Sequence, residues 1–76
     1  MEAFVLIQTD IAKPQEVAEE LAKIHGVVSA VVVAGPYDVI ARVAAEDVDA
    51  LGKLVVTKIQ GVQGLTRTLT CPVVYL

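Results

Sequence analysis

Residues 27–44 read VVSAVVVAGPYDVIARVA, and this stretch decides the fold. A polar corner at residues 34–38 separates two of the most apolar runs in the chain, and both runs are rich in the β-branched residues that suit strands. Because the connection is short, the runs Val27–Ala34 and Val39–Ala44 are predicted to pair as an antiparallel hairpin. At this corner the buried strands reach the solvent, so we expect a ligand to bind there.

The chain before the hairpin predicts one strand and one helix. Ala3–Thr9 is almost continuously apolar, which suits a strand covered on both faces. After a connector at residues 10–13, Pro14 stands at the first helical position, where its missing N–H costs nothing. Gly26 is predicted to end this helix in the C′ position. The apolar face of the helix recurs at helical spacing: Val17, Leu21 and Ile24, widened by Ala18 and Ala22.

The chain after the hairpin predicts a second helix. Asp47 or Glu46 can cap its first turn, and Gly61 and Gly64 end it. The β-branched run Val55–Thr57 weakens the helical pattern, since such residues lose side-chain freedom in a helix. The apolar face contains Val48, Leu51, Leu54, Val55 and Ile59.

Leu65–Cys71 is predicted to form the fourth strand, and Pro72 after it cannot donate a ladder hydrogen bond. Alternation places Thr66, Thr68 and Thr70 on one face and Leu65, Arg67, Leu69 and Cys71 on the other. Three hydroxyls in a row indicate either a stable strand with one partly wet face or a polar lining for a ligand. The residues alone favour the first interpretation.

The predicted order is therefore βαββαβ. Two βαβ-type halves in this order form an α+β, ferredoxin-like fold, in which a four-stranded antiparallel sheet carries both helices on one face. The other face of such a sheet is ordinarily polar. In the first strand it is not, because Phe4 and Leu6 are as apolar as Val5 and Ile7. We therefore expect a second copy to cover the open face, sheet against sheet.

The length and composition of the chain also predict self-association. The 76 residues predict a single domain over residues 1–76, and a chain this short buries only about 60% of the surface that its unfolded form exposes. Cys71 has no cysteine partner, so no disulfide stabilises the domain. Because 55% of the residues are apolar and monomers rarely expose large apolar patches, we expect a homo-oligomer.

The charge and the hydropathy of the chain argue against nucleic acid and a membrane as partners. The net charge is −3, and the six basic residues are scattered, so the chain has no electrostatic footprint for a phosphate backbone. We expect no direct contact with nucleic acid. The first residues do not show the basic stretch followed by an apolar run that is typical of a signal peptide. No apolar run approaches the ~18 residues that a membrane span needs. A soluble, cytoplasmic protein is the expectation.

No catalytic constellation is visible. His25, the only histidine, lies at a predicted helix end and is interpreted as a cap, while Cys71 in an apolar strand is interpreted as a small buried hydrophobe. Metal-ligand spacing and phosphate-binding glycine loops are missing, so we predict no metal, no cofactor and no enzyme activity. Asp38 has two interpretations. Its carboxylate can close an Asx-type turn on local N–H groups, or it can accept a hydrogen bond from a ligand ammonium.

Three motifs in order, Gly26–Val27, Gly35–Asp38 and Gly64–Thr70, resemble the effector-binding domain of the Lrp/AsnC transcription regulators, also called the RAM domain (regulation of amino-acid metabolism). The family pattern resembles Gly-Val, then Gly-x-Tyr-Asp, then Gly-Val-x-x-Thr-x-Thr, whose final threonines correspond to Thr68 and Thr70. The resemblance covers essentially the whole chain. Family members usually carry an N-terminal helix-turn-helix domain, whereas this chain begins at the first strand, so we expect a stand-alone version.

The resemblance implies an amino-acid-binding regulatory module that modulates transcription regulators or amino-acid metabolism. It implies a homodimer formed through the sheet faces, a larger ring that is commonly an octamer, and effectors bound between dimers. A full-length Lrp/AsnC-type regulator is a further implied partner. The implied ligand-binding residues are Gly35, Pro36 and Tyr37 through their backbone, Asp38 for the ligand ammonium, and Thr68 and Thr70 for the carboxylate and polar side-chain atoms.

Two other functions are compatible with this fold. Small dimeric ferredoxin-like oxygenases and isomerases enclose a cavity between sheet and helices, and such an enzyme needs a polar pair there, such as His with Asp or Asn. The sequence offers only apolar positions in that layer. A purely structural module that joins full-length regulators into mixed oligomers is the second alternative, and it predicts a protein partner without ligand binding.

Overall fold

The computed structural model of the chain describes residues 1–10 and 13–76. The connector predicted at residues 10–13 lies partly outside these ranges. The elements are β1 (Glu2–Thr9), α1 (Pro14–Ala22), β2 (Val27–Val32), β3 (Val39–Ala44), α2 (Val48–Lys53), a π-helical segment (Leu54–Ile59) and β4 (Leu65–Pro72). Their order confirms the predicted βαββαβ arrangement. None of the helices in the described ranges has the length and apolar character needed to cross a membrane.

The four strands form one antiparallel sheet in the order β2-β3-β1-β4. The β2–β3 hairpin is confirmed, and β1 lies between β3 and β4 because each half of the chain contributes one inner and one edge strand. Ile7 in β1 shows the register, since it pairs with Val39 of β3 on one side and with Thr68 of β4 on the other. The fold is the α+β, ferredoxin-like sandwich that the sequence predicts.

The hydrophobic core lies between the sheet and the helices. β1 and β3 each direct alternate side chains into it, as the period of two in a strand requires. The helices close the layer with residues from α1, α2 and the π-helical segment. The buried residues are Ala3, Val5, Ile7, Val17, Ala18, Leu21, Val39, Ala41, Val43, Leu51, Val55 and Ile59.

α1 begins at Pro14 as predicted but ends earlier than predicted. The last helical residue is Ala22, so Gly26 is not in the C′ position. The chain instead makes further turns, in which Val27 donates its N–H to the Ile24 carbonyl at 3.0 Å. Gly26 is still required there, because its φ is +103° and a Cβ would lie 3.0 Å from Leu54 Cδ2. Gly26 thus allows the π-helical segment to pack closely against the start of β2.

The predicted second helix is two helices in succession. Asp47 caps α2, accepting the Ala50 N–H at 2.8 Å, and the backbone then widens so that Gln60 donates its N–H to Val55, five residues back, at 2.9 Å. Thr57 contributes to the change because its hydroxyl donates to the Lys53 carbonyl at 2.5 Å, the acceptor of an α-helical N–H bond at that position. The β-branched run identified in the sequence lies in this segment.

The wider turn has a packing consequence. The buried members of this region, Leu51, Val55 and Ile59, recur at every fourth residue. In an α-helix of 3.6 residues per turn, such a series rotates steadily away from the core. The π-helical segment keeps the series on one face. Val48, which the sequence assigned to the apolar face, is instead 69% exposed.

β4 departs from simple alternation at its first residues. The register between β1 and β4 shifts between Gln8 and Thr9, a bulge that places Leu65 opposite Thr9. Leu65 therefore packs against the core and does not share a face with Leu69, which corrects the predicted face assignment. Thr68 keeps the predicted alternation beyond the bulge.

The sheet face away from the helices is apolar, as predicted. On β1 the side chains of Phe4 and Leu6 lie on this open face, opposite Arg42 and Ile40 of β3. Phe4 is 42% exposed. Val31 of β2 and Leu69 of β4 lie on the same face and are 52% and 45% exposed. We use the term open face for Phe4, Leu6, Val31, Ile40 and Leu69.

Candidate functional site

The turn at residues 34–37 is held by the last residues of β1. Asp38 closes it, accepting the Val33 N–H at 2.9 Å and donating its own N–H to the Ile7 carbonyl at 2.9 Å. The Gln8 side chain donates from Nε2 to the Pro36 carbonyl at 2.9 Å. The conformation of the turn is therefore set by contacts with β1 as well as by its own glycine and proline.

The Asp38 carboxylate contacts Thr9. Its Oδ2 accepts the Thr9 N–H at 2.8 Å and the Thr9 hydroxyl at 3.3 Å, across 29 residues of sequence. The interpretation of Asp38 as a local Asx turn is therefore wrong, because the donors belong to another strand. Within residues 1–10 and 13–76, no donor contacts Oδ1. The carboxylate belongs to a half-buried residue, and its contacts in the described ranges are made through Oδ2.

The two threonines of the predicted site lie on β4. Thr68 pairs with Ile7 and Thr70 pairs with Val5, so both side chains are directed to the helix side of the sheet, where they are half buried. Gln60, at the end of the π-helical segment, donates from Nε2 to the Thr68 hydroxyl at 3.3 Å. No sequence pattern indicates a role for Gln60, because its position depends on the widened helical turn.

A depression of about 310 Å³ lies beside Thr68 at the β4 edge of the sheet. Its lining is polar apart from Leu65, and consists of Gln60, Leu65, Thr66, Arg67 and Thr68. Amide, hydroxyl and guanidinium groups in this arrangement can donate hydrogen bonds to a carboxylate. The size of the depression lies at the lower end of the range for small-molecule pockets.

One chain does not bring the turn and the threonines into contact. Val39, which follows the turn, and Thr68 both pair with Ile7, so β1 separates them by two strand spacings of ~4.8 Å each. The faces also differ. Alternation along β1 puts Gln8, which contacts the turn, on the side of Phe4 and Leu6, whereas Thr68 is on the helix side. A single chain therefore places the two groups of predicted site residues at the same end of the sheet without contact between them.

The surroundings of His25 and Cys71 do not indicate a functional site. His25 is exposed beside Gly26 and Leu54, in a shallow depression of about 490 Å³ at the opposite end of the sheet. Cys71 is exposed on the side of Phe4, its β1 partner, so the prediction of a buried cysteine is wrong for the single chain. Across the described ranges, no group of three or more His, Cys, Asp or Glu side chains could hold a metal ion.

The sequence is similar to archaeal transcription regulators. It is 39% identical over 71 residues to the HTH-type transcriptional regulator PF0250 of Pyrococcus furiosus, a match that covers 90% of this chain and 47% of that protein. The HTH-type transcriptional regulator PH1916 of Pyrococcus horikoshii is 35% identical over 71 residues, with the same coverage of 90% and 47%. The chain spans about half the length of the curated relatives it matches.

The fold is similar to a solved structure of about the same length as this chain and to another that is about twice as long. The structure of TTHA0845 from Thermus thermophilus has a TM-score of 0.84 and 34% identity, and the match covers 99% of this chain and 96% of that one. Escherichia coli AsnC has a TM-score of 0.89 and 25% identity, with 99% of this chain and 51% of AsnC covered. The family model of the Lrp/AsnC ligand binding domain matches residues 2–74. The chain belongs to the Lrp/AsnC ligand-binding domain family.

Proposed function

We propose that this domain binds a free amino acid and that binding modulates transcription regulators or amino-acid metabolism through the assembly state of the protein. The observation that carries the proposal is the Asp38 carboxylate, whose Oδ2 is held by Thr9 and whose Oδ1 can accept a ligand ammonium. Such an acceptor is fixed before the ligand arrives, so little ordering cost remains to be met on binding. Membership of a ligand-binding family supports the same function.

Assembly begins, in this proposal, with a homodimer formed through the open face. The exposed side chains of Phe4, Val31 and Leu69 cannot be covered by the helices, which pack on the other side of the sheet. A second copy packed sheet against sheet, at ~10 Å, removes this apolar surface from water. The Glu2–Arg42 ion pair, with 2.7 Å between Oε2 and Nη2, lies on the same side of the sheet and can fix the relative orientation of the two copies.

The ligand site is then completed by contact between dimers. A ligand whose ammonium binds Asp38 needs partners for its carboxylate, and Thr68 and Thr70 of the same chain lie beyond β1 on the other side of the sheet. A neighbouring dimer can bring its own Thr68 and Thr70 to the turn at residues 35–38. The ring of dimers, with an octamer as the expected size, follows from repeating this contact.

A regulatory role without catalysis or DNA binding completes the proposal. The layer between sheet and helices, where a ferredoxin-like enzyme would hold its reacting groups, is filled by aliphatic side chains. The net charge of −3 does not favour a phosphate backbone. A full-length Lrp/AsnC-type regulator is the partner through which this domain would act on transcription.

A thermal-shift screen with each of the twenty amino acids tests the function. Binding at one hundred times the dissociation constant stabilises the native state by about 2.7 kcal/mol, which raises the unfolding midpoint by about 10–20 °C in a domain of this size. The Asp38→Asn variant should lose the response. Asp49→Asn, the same change at an exposed position of α2, should retain it.

A further inference from the structure

The last two residues of β1 and the residue after them are hydrogen bonded to the hairpin turn on one side and to the beginning of the β4 region on the other. Gln8, Thr9 and Asp10 lie between the hairpin turn and the start of β4, and each makes a hydrogen bond outside the regular ladder. We refer to Gln8–Asp10 as the linking segment. None of these residues belongs to the predicted ligand-binding set, so their contacts require a separate explanation.

On the turn side, the linking segment determines where the ligand acceptors lie. Gln8 donates from Nε2 to the Pro36 carbonyl at 2.9 Å, and Thr9 donates its N–H and its hydroxyl to Asp38 Oδ2 at 2.8 and 3.3 Å. Because both Thr9 donors bind the same oxygen, they fix the position of Asp38 Oδ2. A change in the Asp38 rotamer therefore changes the bonding of the Thr9 backbone.

On the β4 side, the same segment is bonded to the strand that carries the threonines. The Thr66 hydroxyl donates to the Gln8 carbonyl at 3.3 Å, and Asp10 donates its N–H to the Gly64 carbonyl at 2.8 Å. The bulge between Gln8 and Thr9 lies between these two contacts. Bulges re-aim the side chains beside them, so the bulge sets the orientation of the first side chains of β4 relative to β1.

We propose that Gln8 and Thr9 are positioning residues that couple the turn at residues 35–38 to the threonine strand. Displacement of Asp38 moves the Thr9 N–H, and the bulge passes this movement to the Thr66 and Gly64 contacts. The role assigned to the coupling rests on the proposed function, because it connects the half-site for an ammonium with the half-site for a carboxylate. In an assembled ring, each chain would then report the occupancy of one ligand site to the next.

Amide hydrogen exchange in the protein without added amino acid tests the coupling directly. Asp38→Asn weakens the contact on the turn side, and we expect exchange at Asp10 N–H, which is bonded to Gly64, to accelerate about fivefold, the change expected from one net hydrogen bond. In the reverse direction, Thr66→Val should accelerate exchange at Thr9 N–H by a similar factor. Each probe amide is bonded to the side of β1 away from the substituted residue.

Matched variants separate coupling from general loss of stability. Gln8→Met removes the Nε2 donor while keeping a long side chain, and exchange should accelerate at Asp38 and Asp10 while the buried ladder amides of Ala41 and Val43 keep their rates. Gln15→Met, which alters an exposed contact on α1, should leave Asp10 unchanged.

The proposal is overturned if Asp38→Asn and Thr66→Val change exchange only at their own partners, or if the core amides accelerate equally with Asp10. The result does not depend on ligand binding. An absent response to all twenty amino acids would remove the proposed function and leave the coupling measurable. Local exchange effects alone would remove the coupling and leave amino-acid binding intact.

Discussion

The carboxylate of Asp38 accepts both the N–H and the hydroxyl of Thr9 through a single oxygen, Oδ2, at 2.8 and 3.3 Å. This contact connects the hairpin turn between β2 and β3 to the end of β1. It makes the carboxylate an ordered acceptor in the free domain. The ligand-binding proposal and the coupling proposal both depend on this one geometry.

Thr9→Val should weaken the contact without removing it. Valine keeps the backbone N–H and the branched shape but lacks the hydroxyl that bonds Asp38. The free energy of unfolding should fall by about 0.5–1.5 kcal/mol, the net value of one hydrogen bond, as measured by urea denaturation. Thr9→Ser retains a hydroxyl and should recover part of the loss. Equal losses in both variants would show that the hydroxyl contributes nothing.

Gly26→Ala and Gly52→Ala should change stability in opposite directions. At Gly26 the φ of +103° disfavours alanine, and the new Cβ would lie 3.0 Å from Leu54 Cδ2, so we expect a loss of about 1–2 kcal/mol. Gly52 lies inside α2, and a new Cβ there would have no atom within 4 Å in the described residues apart from its chain neighbours and its own helix backbone. Alanine should therefore add about 0.5–1 kcal/mol through its helix propensity. Thermal unfolding of the two variants measures the difference, and a common sign would contradict the structure.

Ile7→Ala should be severely destabilising. Ile7 is fully buried on the central strand β1, between Val39 and Thr68. Removing a buried isoleucine side chain to alanine typically costs about 2–5 kcal/mol, which is a large part of the stability of so small a domain. Val56→Ala, at a position 64% exposed on the π-helical segment, should change the stability by less than ~0.5 kcal/mol. Chemical denaturation followed by circular dichroism compares the two.

Leu69→Glu should dissociate the proposed homodimer while leaving the domain folded. Leu69 is 45% exposed on the open face, where a charge in a sheet-to-sheet interface would be buried without a partner. The expected result is a shift to the monomer mass in light scattering after size exclusion. Val56→Glu, on the opposite side of the molecule, should keep the wild-type mass. An unchanged mass for Leu69→Glu would place the interface elsewhere.

Local sequence patterns predicted most of the fold because the signals were local. The start of α1 at Pro14, the bounds of β3 and the hairpin all depend on residues close together in the chain. The π-helical segment was not predicted. Its widened turn depends on the packing of Val55 and Ile59 against the sheet and on the Thr57 hydroxyl, and no spacing rule for an α-helix contains these contacts.

The residues of the proposed site were chosen from sequence motifs, which did not predict their geometry. The motif around Asp38 could be recognised from turn chemistry, whereas its partner Thr9 is 29 residues away and became visible only once β1 was placed beside the turn. The bulge at Gln8 and Thr9 likewise changes the face of Leu65, because strict alternation fails where one strand gains a residue. Long-range pairing and irregular register account for both differences.

The most direct test of the central claim is calorimetric titration of the assembled wild-type protein and its Asp38→Asn variant with each of the twenty amino acids. We predict saturable binding of at least one amino acid to the wild type, and loss of that binding in Asp38→Asn at an unchanged oligomeric mass, with Asp49→Asn binding as the wild type does. Binding that persists in Asp38→Asn, or no binding of any amino acid to the assembled wild type, would contradict the account.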